Sequence, residues 1–251
     1  MTHAKTPPPE AASLAVFAQA LTRRFGNFIA VDHVDLSVKP HEIFGFLGAN
    51  GAGKTTTIRM LCGLLAPTGG EAWVDGLSIS TQADAVKHRI GYMSQKFSLY
   101  TDLTLSENLE FYGGVYSLTH NEIADRSAVI MEQLGLTPFR SRLPKELPLG
   151  YRQRLALGCS VLHKPRILFL DEPTGGVDPV ARRTFWDLIY RLADEGSTVF
   201  VTTHYMDEAE YCGRVSIMDK GQIVALGSPN ELKREQNALT MQDVFLKVVK
   251  P

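Results

Sequence analysis

The sequence predicts an α/β fold with an antiparallel β subdomain and an inserted α-helical subdomain. Three observations carry that reading. Short apolar runs, IFGFL from Ile43 to Leu47 and ILFL from Ile167 to Leu170, have the composition of strands buried in a core sheet. The opening stretch instead contains alternating runs, LAVFAQAL and AVDHVDLSVKP, which suit half-buried antiparallel strands. Between the two apolar strands, Leu105 to Leu162 is mostly helical in pattern, so a helical insert interrupts the core.

The elements follow in order. Residues 1–13, opening MTHAKTPPPEAA, are rich in Pro, Ala and polar groups and read as a flexible tail or linker remnant ahead of a single domain over 14–251. From Leu14 to about Pro40, two strands meet at a turn around Phe25 and Gly26. IFGFL then leads through the glycine-rich GANGAGKT into the helical TTTIRMLCGLL. Glu71 to Ile79 returns to strand. The helical subdomain, about 97–165, has expected breaks near Gly113-Gly114, Pro138 and Pro144. After ILFL come a helix from about Pro179 to Asp194, the strand TVFVTT from Thr198 to Thr203, and VSIMDKGQIVAL, which turns at Lys220-Gly221. No internal repeat appears.

Composition sets the outer limits. With 251 residues, 44% of them hydrophobic, and a formal net charge of -1, the chain can bury a full core and shows no basic excess for nucleic acid. Cys62, Cys159 and Cys212 lie far apart without metal-ligand spacing, so they read as reduced thiols in a cytosolic setting. No apolar run approaches the roughly 18 residues of a membrane span, so any membrane work would need a span from another chain.

Gly48 to Thr55 satisfies the phosphate-loop pattern between a buried strand and a helix, the context that pattern requires. Backbone N–H groups of such a loop curl around phosphate oxygens, and the helix start adds partial positive charge. Lys54 would reach the β and γ phosphates, and the Thr55 hydroxyl would ligate Mg²⁺. Asp171, ending ILFL, falls where a carboxylate holds that ion directly or through water. Glu172 beside it is free to polarise an attacking water, which makes it the candidate general base.

Five ordered motifs narrow the class: GANGAGKT, the Gln95 of GYMSQKFSLY, ELPLGYRQRLALG, ILFLDEPTGGVD, and VTTHYMDEAE. Together they resemble the nucleotide-binding domain of ABC transporters over about Leu14 to Leu246, and LSENLEFYGGVY, DEAEYCGRV and VALGSPNEL resemble the ABC-2 type exporter ATPases. The resemblance implies an ABC-type phosphate-loop NTPase that uses ATP and Mg²⁺. It implies nucleotide contacts at Phe25, as adenine-stacking aromatic, and at Gly48, Asn50, Gly51, Ala52, Gly53, Lys54, Thr55 and Thr56. Glu172, Gln95 and His204 would be catalytic, with Thr55, Gln95 and Asp171 at the metal. Asp178 would communicate across a dimer, although it also suits a helix N-cap before Pro179. The expected partners are a second nucleotide-binding domain and an integral membrane ABC-2 permease, with no nucleic acid, and the expected place is the inner face of the cell membrane.

One motif departs from the family. Where its members read LSGGQ at a helix start facing the partner's γ-phosphate, this chain reads Leu147, Pro148, Leu149, Gly150, Tyr151. Proline removes the serine hydroxyl, and with it a charge-assisted contact worth about 1.5–3 kcal/mol, while the Gly150 amide and helix dipole remain. Pro148 is expected in the first helical turn. The LPLG variant also resembles the second half of tandem ABC-2 ATPases, which would make the natural partner a different half. Two other readings stay open: an ATP-gated clamp with little turnover, and a soluble non-transport ABC ATPase.

Overall fold

A computed structural model describes residues 6–249. Strands β1 (Val16–Phe25) and β2 (Phe28–Val38) form an antiparallel hairpin, closed by Gly26 at φ 57°. Strand β3 (Ile43–Leu47) leads through the phosphate loop into α1 (Lys54–Leu61). The expected Glu71–Ile79 strand is two strands, β4 (Gly69–Val74) and β5 (Leu77–Ser78), because Asp75 and Gly76 take positive φ and fold the segment back on itself. These strands complete a four-stranded antiparallel sheet in the order β2-β1-β4-β5.

Next come α2 (Ala83–Arg89) and β6 (Ile90–Met93), then three helices: α3 (Leu105–Val115), α4 (His120–Gln133) and α5 (Leu149–Val161). Pro138 and Pro144 do break the helical run, each inside a short 3-10 turn. The break expected at Gly113-Gly114 does not occur, since α3 continues through both glycines. A β-carbon on Gly113 would lie 2.5 Å from Ile123 Cγ1, so the missing side chain is what lets α3 approach α4. A capping box, Thr104 with Glu107, fixes the start of α3 and offsets the low helix propensity at its end.

Strand β7 (Ile167–Asp171), helix α6 (Pro179–Asp194) and strand β8 (Thr198–Thr203) follow, then β9 (Arg214–Asp219) and β10 (Gln222–Gly227). Two C-terminal helices, α7 (Pro229–Glu235) and α8 (Met241–Val248), each begin with a capping box. The core sheet runs β10-β9-β3-β8-β7-β6, parallel except at the β9–β10 hairpin.

Side chains of the central strands alternate between two apolar cores, as strand geometry dictates. Phe169 and Phe200 point to the core shared with the antiparallel sheet, Leu168 and Val199 to the core shared with the helical insert. Phe44, Phe46 and Phe169 gather around Phe200 at ring distances of 5.3–5.4 Å. Such tilted aromatic contacts pin the strands that carry the site.

The expected tail needs correction in part. Residues 1–5 lie outside the described residues, but Pro9–Ala11 form a 3-10 turn whose Ala11 is buried, and the Ala15 amide donates to Val38 O at 2.9 Å. All three cysteines are free and buried. Among the described residues, no helix is long and apolar enough to cross a membrane.

Candidate active site

Four adjacent strands, β3, β8, β7 and β6, deliver one motif each from their carboxyl ends, where open α/β sheets place ligands. The phosphate loop leaves β3. Gly51 and Gly53 take φ of 83° and 111°, as a loop curled around an anion requires. A β-carbon on Gly48 would lie 2.5 Å from Met218 O, and one on Gly53 2.5 Å from Ala30 O. The loop is thus gripped from both sides. The Gly221 amide donates to Ala52 O at 3.0 Å, and Gly221 O accepts from the Asp32 amide at 2.8 Å, so the β9–β10 turn ties the loop to β2.

Lys54 is buried, with Nζ donating to Gly48 O at 2.7 Å and Ala49 O at 3.2 Å. The same Nζ lies 3.3 Å from Glu172 Oε1. Asn50 and Gly51 stay exposed, Ala52 is buried, and Thr55 and Thr56 are partly buried at the start of α1.

Asp171 ends β7. Its Oδ1 accepts from Thr202 Oγ1 at 2.8 Å and from Thr55 Oγ1 at 3.1 Å, while Oδ2 is buried with no partner. Burial pushes this carboxyl above its usual range, the Thr202 and Thr55 hydroxyls pull against that, and the neighbouring Glu172 charge adds to the rise. An unpaired buried carboxylate oxygen beside a hydroxyl is a donor set that suits a hard divalent cation, with phosphate and water completing the shell.

Glu172 sits at φ 49°, left-handed for a non-glycine residue, and its amide donates to Thr202 Oγ1 at 2.9 Å. Its carboxylate is the meeting point of the motifs. Gln95 Nε2, beyond β6, donates to Oε2 at 3.0 Å. His204 Nδ1, beyond β8, lies 3.1 Å from Oε2 at ion-pair distance but outside hydrogen-bond alignment. Lys54, Gln95, Glu172 and His204 therefore converge as the sequence expects, and Asp171 with Thr55 forms an adjacent pair.

Other expected residues lie apart from this cluster. Phe25 ends β1 with its ring exposed beneath the Arg23 guanidinium, 4.5 Å from the ring centre. Pro148 is the N-cap of α5, not a first-turn residue: its ψ of 155° is extended, and it supplies no side-chain acceptor to the helix. Leu147 closes the preceding turn, Leu149 opens α5, and Gly150 and Tyr151 follow half-buried. Asp178 caps α6, accepting from the Val180 and Ala181 amides at 2.9 and 3.0 Å, and those amides hold its carboxyl below the usual range. The N-cap role foreseen for it is realised, and the side chain is exposed.

Sequence reading missed several supports. Thr202 holds both acidic residues through one hydroxyl, and the only hint was a pair of threonines ending an apolar strand. Gln153, fully buried in α5, donates to Gly175 O at 3.2 Å and joins the LPLGY helix to the segment after Glu172. Nothing in its spacing marks it.

Known proteins resemble this chain in sequence and in fold. The sequence pattern of the family described as ABC transporter matches residues 31–175. The probable multidrug ABC transporter ATP-binding protein YbhF of Escherichia coli K12 is 48% identical over 237 residues, covering 92% of this chain and 41% of that protein. The chain thus spans less than half of that relative's length. The linearmycin resistance ATP-binding protein LnrL of Bacillus subtilis is 38% identical over 216 residues, covering 86% of this chain and 70% of that protein. Among solved structures, the dimeric post-hydrolysis state of the ATP-binding cassette MJ0796 bound to ADP and Pi is similar, with a TM-score of 0.78 and 25% identity over 85% of this chain and 98% of that one. With the family's pattern spanning more than half the sequence and its phosphate loop, paired acids and strand-end histidine brought together in space, this chain belongs to the ABC transporter family.

Proposed function

We propose that this chain is the ATP-binding and hydrolysing subunit of an ABC-2 type efflux transporter, coupling ATP-driven dimer closure to export through a separate membrane permease. The observation that carries the reading is the Glu172 carboxylate, buried and reached by Lys54, Gln95 and His204 beside the Asp171–Thr55 pair. Thr55 and Asp171 would hold Mg²⁺, which would neutralise charge on the transferring phosphate. Gln95, whose amide reaches Glu172, would also join the metal. Glu172 orients and deprotonates water, His204 meets the γ-phosphate, Lys54 shifts from loop carbonyls to phosphate, and Phe25 offers its face to adenine.

Export is supported by the names of the relatives, multidrug transport for YbhF and linearmycin resistance for LnrL. Dimerisation is supported by the dimeric neighbour bound to ADP and Pi. In that dimer arrangement the Leu147–Tyr151 surface completes the partner's ATP site and Asp178 lies at the interface. YbhF is more than twice as long as the matched region, which favours a different half as the partner. The working place is the inner face of the cell membrane, against the permease. The clamp reading is favoured by one feature, the N-cap proline that offers no hydroxyl to phosphate.

Steady-state phosphate release by the wild-type chain and by Glu172→Gln decides the matter. Turnover should fall at least a hundredfold, in line with loss of an acid-base group worth about 10²–10⁴. Equal rates in the two proteins would remove Glu172 as base, and no turnover in the wild type under Mg²⁺-ATP would favour the clamp.

A further inference from the structure

Glu208 is a carboxylate with no exposure at all, lying in the 3-10 turn Met206–Tyr211 after His204. Its Oε1 accepts from the Thr174 hydroxyl at 2.5 Å, and its Oε2 has no hydrogen-bond partner. The nearest cation is Arg182 on α6, whose Nε stands 3.6 Å from Oε1 without hydrogen-bond alignment. Burying a carboxylate on such partial compensation is costly, and apolar replacements of buried ion pairs are often neutral or stabilising. Stability alone therefore does not account for a glutamate here. The flanking Met206 and Ala209 are apolar and buried, so the pocket has no general need of charge.

The partners of Glu208 show what it joins. Thr174 lies two residues after Glu172, in the turn that the left-handed Glu172 begins. Glu208 lies four residues after His204, and its amide donates to Tyr205 O at 3.2 Å. Arg182 lies one turn beyond the Asp178 cap, and its guanidinium covers the Tyr205 ring at 4.0 Å while Nη1 donates to Asp207 at 3.3 Å. The Tyr205 ring in turn lies 4.1 Å, centre to centre, from the His204 imidazole. Glu208 thus binds the segment after Glu172 directly, and through Arg182 and Tyr205 it backs the ring of His204.

We propose that Glu208, acting with Thr174 and Arg182, is a positioning residue that holds the Glu172 and His204 loops in catalytic register. This rests on the roles given above to Glu172 and His204. Glu208 touches no reacting atom. It fixes the spacing of two groups that do, and misplacement of about 1 Å in such groups costs on the order of a hundredfold in rate.

The test is a mutant cycle on the full chain, measuring kcat and KM for ATP hydrolysis in Glu208→Gln, His204→Ala, the double variant and Glu172→Gln. Glu208→Gln keeps the side-chain volume and should lower kcat about ten- to a hundredfold with KM within about twofold. In the His204→Ala background the same change should cost less than about threefold, because one of the two groups whose mutual spacing it fixes is gone and there is no register left to hold. An equal loss in both backgrounds, or an unchanged kcat, overturns the proposal. Wild-type turnover in Glu172→Gln would instead defeat the underlying assignment of the base, a separate outcome. Should Glu208→Gln fail to fold, Thr174→Val removes the hydroxyl at nearly constant volume and must show the same background-dependent loss. The histidine ¹⁵N spectrum gives a readout independent of turnover: Glu208→Gln should shift the His204 resonance and leave His41 and His120 unmoved, and an unmoved His204 refutes the link.

Discussion

Replacing Asp171 by Asn should stabilise the protein measured without nucleotide or metal, while removing its response to Mg²⁺-ATP. Asp171 is 1% exposed, its Oδ2 has no partner, and Glu172 adjoins it with the same charge. Asn keeps an oxygen for the Thr202 and Thr55 hydroxyls and discards the buried charge. The amide nitrogen that replaces Oδ2 remains a buried polar group without a partner, so the gain comes from the discarded charge alone, whose burial costs more than that of a neutral group, and is expected to be about 1–3 kcal/mol. At about 2–4 °C per kcal/mol for a chain of this size, that is a rise in Tm of roughly 2–12 °C. The pH dependence has a definite sign. In the unfolded chain the carboxyl titrates near 3.9, and in the fold it titrates higher, so between the two values the native state holds a proton that the unfolded state has released. The contribution of Asp171 to stability is complete below the lower value and is lost as pH rises through the upper one. Urea unfolding from pH 4 to 8 should therefore show the advantage of Asp171→Asn growing with pH. A variant less stable than wild type at pH 7, or an advantage independent of pH, would refute the reasoning.

Two further outcomes follow from packing and titration. Gly114→Ala, which adds a β-carbon into open space inside α3, should raise stability by about 0.5–1 kcal/mol, whereas Gly113→Val, aimed at Ile123, should lower it by about 1–3 kcal/mol; equal effects in urea unfolding would refute the packing account. His163 is stacked on Tyr116 at 3.5 Å, and burial lowers its pKa to about 4, so the unfolded state binds its proton first and stability falls as pH drops from about 6.5 toward 4. His163→Phe keeps a ring on Tyr116 and should flatten that acid limb, which unfolding curves at pH 7 and pH 5 would check.

Much of this was legible because local chemistry and tertiary need coincide. Helix α6 and strand β8 run over the residues foreseen for them, since Asp178 and Pro179 mark a helix start and TVFVTT is both apolar and β-branched. The phosphate loop carried its own context of strand and helix. Where the reading failed, a distant partner decided the outcome. Gly113 looks like a breaker until Ile123, ten residues on, is seen to require the space. Pro148 read as a first-turn residue, but the turn through Pro144 delivers it extended to the N-cap. Helices α7 and α8 went unassigned although Ser228 with Glu231 and Thr240 with Asp243 spell their capping boxes. Gln153, Thr174 and Glu208 act between segments far apart in the chain, so no period or motif could reveal them.

The grip of the β9–β10 turn on the phosphate loop bears on the thermodynamics of binding. A loop of small residues left to itself would sample many conformations, and a ligand would have to bear the entropy of selecting one, about 1–2 kcal/mol for each residue fixed. Here Gly221 bonds to Ala52, and Met218 and Ala30 wall in Gly48 and Gly53, so folding itself has already made that selection. The affinity of the loop for phosphate is in this sense set nearly 170 residues downstream, by a hairpin that need never touch the nucleotide.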